Sequence, residues 1–144
     1  MWTNLRKDEQ KDLKSAVSVA LKQLTYLSVC HANYIPHLDR ALHNFCLLFE
    51  HGITLRKIYH PELVTHLVKL FNTCETCPLS VDTQIRFIKF LNQHYTDPDI
   101  QARKSRYAEF LILWCQTTEG PAYRFLVNSP VFRDIVGIIP KRKD

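Results

Sequence analysis

The sequence predicts an all-α fold, on three observations. Apolar residues recur at steps of three and four along most of the chain, and segment starts are marked by Ser, Asp or Pro, as at Pro36, Pro61, Ser80, Pro98, Pro121 and Pro130. No stretch shows the apolar/polar alternation between hairpin turns that strands require. With 144 residues, 46% hydrophobic and 23% charged, the chain suits one domain with a genuine core. That helical domain is expected over residues 1–140, followed by a basic tail at 141–144.

Leu13, Ala16, Val17, Ala20, Leu21, Leu24 and Leu27 define one face of a first helix over about residues 8 to 30. Its other face carries Lys7, Lys11, Lys14 and Lys22. A second helix follows Pro36, with Leu38, Ala41, Leu42, Phe45, Leu48 and Phe49 apolar and Gly52 as a left-handed stop; it is expected to pair back on the first. A side stripe of Asp39, His43, Cys46 and Glu50 on this helix reads as a polar flank, because four residues along one straight helix cannot converge on one ion.

A third helical segment starts near Thr54, is interrupted at His60-Pro61, and continues through Leu63, Val64, Leu67, Val68, Leu70 and Phe71. Ser80 is the expected N-cap of a fourth helix, with Asp82 in its first turn, where a negative charge suits the helix dipole. Ile85, Ile88 and Tyr95 fall on one side of that helix and Phe87 and Phe90 on another, so it is packed from two directions. A fifth helix opens at Asp97-Pro98-Asp99 and carries "YAEFLILWCQ"; two shorter pieces, "GPAYRFLVN" and "SPVFRDIVGII", each begin with Pro in the first turn.

Helical pairs therefore begin near residues 8, 54 and 98, offsets of about 46 and 44, within the roughly 40–47 residues of HEAT and armadillo units. On this period, the broken helix at "LRKIYHPELV" and the closing "NSPVFRDIVGII", the chain resembles an armadillo/HEAT-like α-solenoid. The resemblance implies a right-handed superhelix of about six to eight helices in antiparallel pairs, armadillo/HEAT-like or VHS/ENTH-like, and a protein-binding role. Terminal repeats need a polar outer face, whereas "VFRDIVGII" is strongly apolar. This suggests either a piece of a longer protein or a last helix that docks on a partner.

The formal charge is +5 and the pI about 9.0. It is evenly spread, with nine Lys/Arg against six Asp/Glu in residues 1–72 and ten against eight in residues 73–144. Lys141, Arg142 and Lys143 supply three of the positive charges, so the body is only mildly basic. The run "PKRKD" resembles a short nuclear-import signal. No run of about 18 apolar residues and no secretory leader is present, and five cysteines make an odd count. The expected setting is intracellular, with the nucleus favoured over the cytoplasm and with no membrane involvement.

"FNTCETCPLS" holds the one motif that invites chemistry. Cys74 and Cys77 have the spacing of half a zinc site, and His60 and His66 are the candidate complement. The competing reading makes them two free loop cysteines: Pro78 stops one helix and Ser80 caps the next. A redox role is disfavoured because Cys74 follows a helix C-terminus, whose carbonyls oppose a thiolate. No phosphate loop, nucleophile elbow, kinase or metalloprotease signature occurs.

The sequence is therefore read as a non-enzymatic protein–protein interaction module without cofactors, a scaffold or adaptor taking a helix or peptide. Leu24, Phe45, Phe71, Ile88, Leu91, Phe110 and Trp114 are expected in the core, and Phe87, Phe90, Tyr123 and Phe132 are candidate contact anchors. Two alternatives stand beside it. One is a nucleic-acid-associated module using Lys7, Lys11, Lys14 and the cluster Arg103, Lys104 and Arg106; the other is an obligate homo-oligomer joined through the doubly apolar helices.

Overall fold

The computed structural model describes residues 6–9, 11, 12, 15, 35–50 and 59–140. Within 35–66, the side chains at positions 35, 37, 38, 41, 45, 48–50, 59–63 and 66 also lie outside the description. The described residues are helical and contain no strand. Helical residues at 7–9, 11, 12 and 15 fall within the predicted first helix; Leu24, Lys14 and the Gly52 stop lie outside the described residues, as does the Phe45 side chain. No helix among the described residues is long and apolar enough to cross a membrane.

Seven helices have defined bounds: α1 (Ile35–Glu50), α2 (Tyr59–Thr73), α3 (Val81–His94), α4 (Pro98–Gln101), α5 (Lys104–Thr117), α6 (Gly120–Val127) and α7 (Pro130–Ile135). Pro61 lies in the first turn of α2, where its missing N–H costs nothing; the expected helical piece from Thr54 lies outside the described residues. Ser80 caps α3 as expected, its Oγ accepting from the Thr83 N–H at 3.2 Å. The predicted fifth helix is two. α4 is a single turn, and Arg103, at φ −119 and ψ 31, leaves helical geometry before α5 begins.

Two glycines close turns that other residues resist. Gly120 opens α6 at φ +65, and Gly137 follows α7 at φ +87 while donating its N–H to the Phe132 carbonyl at 3.2 Å. The positive φ at Gly137 ends the helix ahead of the irregular residues Ile138 to Pro140.

α1 lies on α3, α2 on α5, α3 on both α6 and α7, and α5 on α4, α6 and α7. The centre is aromatic. Phe71 of α2 meets Phe110 and Trp114 of α5, with ring centroids at 5.4 and 6.3 Å, and Phe87 of α3 meets the same two rings at 6.0 and 5.6 Å. Such pairs contribute about 0.5–1.5 kcal/mol each beyond the area they bury. Phe71, Ile88, Leu91, Phe110 and Trp114 are all buried in one cluster, in line with the expected core. α3 and α5, apolar on two sides, satisfy both sides within the chain.

A candidate binding site at the Cys74 to Ser80 loop

The connection from α2 to α3 is short and tightly held, and the residues that hold it are polar. Gln84 is buried on the stripe it shares with Phe87, Ile88 and Leu91, at steps of three and four. Its Oε1 accepts from Trp114 Nε1 at 2.9 Å and from Thr118 Oγ1 at 2.6 Å, while its Nε2 donates to the Leu79 carbonyl at 2.9 Å. One side chain thus ties α3, the end of α5 and the loop. The Cys77 N–H adds a bond to the Thr117 carbonyl at 2.9 Å.

Asp39 of α1 provides the second tie. Its Oδ1 accepts from the Ser80 N–H at 2.8 Å, and its Oδ2 accepts from Ser80 Oγ and Thr83 Oγ1, each at 3.1 Å. A carboxylate from another element thereby completes the cap of α3, a charge-assisted arrangement at a helix N-terminus. Asp39 and its neighbours are therefore not a single polar flank. His43 lies 3.7 Å from Asp82, but Cys46 is fully buried, and the Glu50 side chain lies outside the described residues.

Two clefts open on either side of this loop. The larger, about 420 Å³, is lined by Phe71, Asn72, Thr73, Cys74, Glu75, Leu113, Gln116 and Thr117. The smaller, about 270 Å³, is lined by Thr76, Cys77, Leu79, Val81, Gln84, Thr117, Thr118 and Glu119. Thr117 belongs to both. α2 and α5 both terminate here, at Thr73 and Thr117, so two carbonyl-rich helix ends face one region. Glu75 and Glu119 are exposed beside them, and among the described residues no Lys or Arg lines either cleft. The potential there favours a cation.

Cys74 and Cys77 are free, half-buried and packed against the core. Burial pushes the Cys77 thiol up to about 12, and only the hydrogen bond from the Leu79 backbone pulls the other way. It is a protonated, apolar group at neutral pH. Among the described residues no three His, Cys, Asp or Glu side chains are grouped as a metal ion would need, and the side chains of His60 and His66 lie outside them.

Three of the four proposed anchors are buried. Phe87, Phe90 and Phe132 are at most 3% exposed: α3 packs against α1, α6 and α7, and α7 against α3, α5 and α6. Tyr123 is half-buried against the same core. The basic candidates remain on the surface: Lys7 and Lys11 are exposed, as are Arg103, Lys104 and Arg106 around the start of α5. Arg103 donates from Nη1 to the Asp99 carbonyl at 3.0 Å.

Sequence reasoning missed Gln84, Glu75 and Glu119. A signal for Gln84 existed, since it occupies a core register of α3. The two glutamates carried none, because only the meeting of α2 and α5 brings them to one place. The chain matches no protein-family model, no curated protein and no solved structure.

Proposed function

We propose that the protein is a non-enzymatic protein–protein interaction module, a scaffold or adaptor domain on an armadillo/HEAT-like or VHS/ENTH-like superhelix. It takes a basic, extended segment of a protein partner at the end where α2 and α5 terminate. The packing order supports the architecture. With single-turn α4 set aside, each helix lies on the one two along: α1 on α3, α2 on α5, α3 on α6 and α5 on α7. Stacked helix pairs produce that order, because each unit contacts only its neighbours.

The convergence of two helix C-termini with Glu75 and Glu119 around clefts that no described Lys or Arg lines carries the recognition half of the reading. Asn72, Gln116 and the threonine hydroxyls add hydrogen-bonding groups suited to a peptide backbone, while Phe71 and Leu113 give the larger cleft an apolar floor. The raised Cys77 thiol fits a binding role better than a nucleophilic one.

Fluorescence anisotropy with a labelled Lys/Arg-rich peptide tests the reading. Saturable binding is expected, weakened about tenfold or more by Glu75→Lys with Glu119→Lys. Equal affinity for the charge-reversed protein contradicts it.

A second reading has its own observation. Arg103, Lys104 and Arg106 stand exposed at the start of α5, whose N-terminus has no side-chain cap, an arrangement that attracts phosphate. Retention of a single-stranded oligonucleotide that falls steeply with salt, and is lost on Arg103→Glu with Arg106→Glu, would favour it.

A further inference from the structure

The smaller cleft has a polar floor whose hydrogen bonds the fold leaves incomplete. Of its lining residues, Gln84 and Thr118 are each only 3% exposed, so their side chains form the bottom of the space of about 270 Å³. A carboxamide carries two acceptor positions on its oxygen and two N–H donors on its nitrogen. The Gln84 oxygen is fully used, by Trp114 Nε1 at 2.9 Å and Thr118 Oγ1 at 2.6 Å, and an indole N–H can only donate, which fixes the end of the carboxamide it meets as the oxygen. The nitrogen is half used. Among the described residues Nε2 meets one acceptor, the Leu79 carbonyl at 2.9 Å, which leaves one N–H over. Thr118 Oγ1 gives its proton to Gln84 and accepts from no described group, so its lone pairs are over as well. Buried polar groups are nearly always paired, and a donor and an acceptor left over on one hydrogen-bonded unit call for a partner.

The surroundings narrow the chemistry of that partner. Leu79 and Val81 line the cleft with apolar surface, and burial keeps the Cys77 thiol protonated. A carboxylate brings acceptors only, and would meet the Thr118 lone pairs, Glu119 and the carbonyl end of α5. A guanidinium or ammonium brings donors only, and would meet the Gln84 N–H. The floor asks for a group that accepts at one atom and donates at the next. A primary carboxamide does so along one edge, whereas a trans peptide group holds its C=O and N–H on opposite edges.

We infer that the smaller cleft is an amide pocket: it takes the side chain of an asparagine or glutamine of the bound segment, whose C=O accepts from the remaining Gln84 N–H while its NH2 donates to Thr118 Oγ1. This inference rests on the proposed recognition of a protein segment at this end and adds a residue-specific requirement to it. Glu75 and Glu119 attract a basic segment, and the Gln84–Thr118 pair reads one uncharged side chain within it. Hydrogen bonds made in so buried a floor discriminate sharply, because a side chain lacking either group leaves Gln84 or Thr118 unpaired.

Two measurements test the pocket, and the first needs no partner. In NMR spectra of the full chain, acetamide is expected to shift the Gln84 side-chain amide and the Trp114 indole N–H progressively, while acetate and N-methylacetamide at equal concentration leave both in place. Equal shifts with either comparison compound, or none with acetamide, overturn the proposal. In the second, the labelled Lys/Arg-rich peptide carries Gln at each interior position in turn, with Glu, Met and Ser at the same position as comparisons. At one position Gln is expected to bind about tenfold tighter than the other three, the worth of roughly one hydrogen bond. Thr118→Val is expected to remove that preference and Thr118→Ser, which keeps the hydroxyl, to retain it. Should Thr118→Val fail to fold, Thr118→Ser and the acetamide spectra still decide. A peptide that binds in the Glu75-dependent way described above with no preference for Gln at any position overturns the amide pocket and leaves the recognition reading standing. Acetamide shifts at Gln84 without any binding of basic peptides uphold the pocket and overturn the basic-segment reading.

Discussion

Gln84 is where a single side chain has the largest structural reach. Replacing it with Ala leaves the Trp114 indole N–H, the Thr118 hydroxyl and the Leu79 carbonyl without their partner in a buried site. Each such group costs about 1–3 kcal/mol, so Gln84→Ala is expected to destabilise by about 3 kcal/mol in urea unfolding; a loss below about 1 kcal/mol contradicts the assignment. Cys77 gives a second residue-scale prediction. Burial holds its folded pKa above the ordinary thiol value of 9.0, at about 12. The stability it contributes is therefore fully present below pH about 9 and is lost as pH rises toward 12, the native state holding a proton the unfolded chain has released. In a variant lacking the other cysteines, thiolate absorbance of the folded protein should stay flat through pH 10 and appear near 9 only in denaturant. A folded-state midpoint near 9 would show the thiol to be solvated. The CxxC spacing in the sequence offered metal, redox and loop readings together, and the distinction lay in burial, which spacing alone does not encode.

Among the elements, α3 shows how local and tertiary signals combine. Ser80, Asp82 and the apolar pattern made its start and its two-sided burial legible, because caps and periodicity are local properties. The contribution of Asp39 was not legible, since it comes from 41 residues upstream. Asp39→Ala is expected to cost about 1–2 kcal/mol and to speed hydrogen exchange at the Ser80 amide more than at Ile88, at the centre of α3. Uniform acceleration along α3 would show that the contact does not anchor the α1–α3 pair. The break between α4 and α5 escaped the sequence reading because nothing at Ala102-Arg103 resembles a stop; the bend is set by packing. The burial of Phe87, Phe90 and Phe132 escaped it for a related reason. Aromatic enrichment marks interfaces and cores alike, and only the packing of α1, α6 and α7 on α3, and of α3, α5 and α6 on α7, decides between them.

Across the whole molecule, charge is more polarised than the even counts along the sequence indicate. Arg103, Lys104 and Arg106 gather around the start of α5, while Glu75, Glu119 and two helix C-termini gather at its other end. Counting by halves hid this, because antiparallel helices fold distant positions onto the same end. The helical class was legible from period and caps; the proposed recognition surface was not, since it is assembled from the tail of α2, the tail of α5 and the loop between α2 and α3. The central claim is that this end recognises a basic protein segment, and backbone NMR of the full chain titrated with the Lys/Arg-rich peptide tests it most directly. Shifts concentrated at 73–77 and 116–119, absent from the Glu75→Lys, Glu119→Lys protein, are the predicted result. Shifts centred elsewhere on the molecule, or none at saturating peptide, would contradict it.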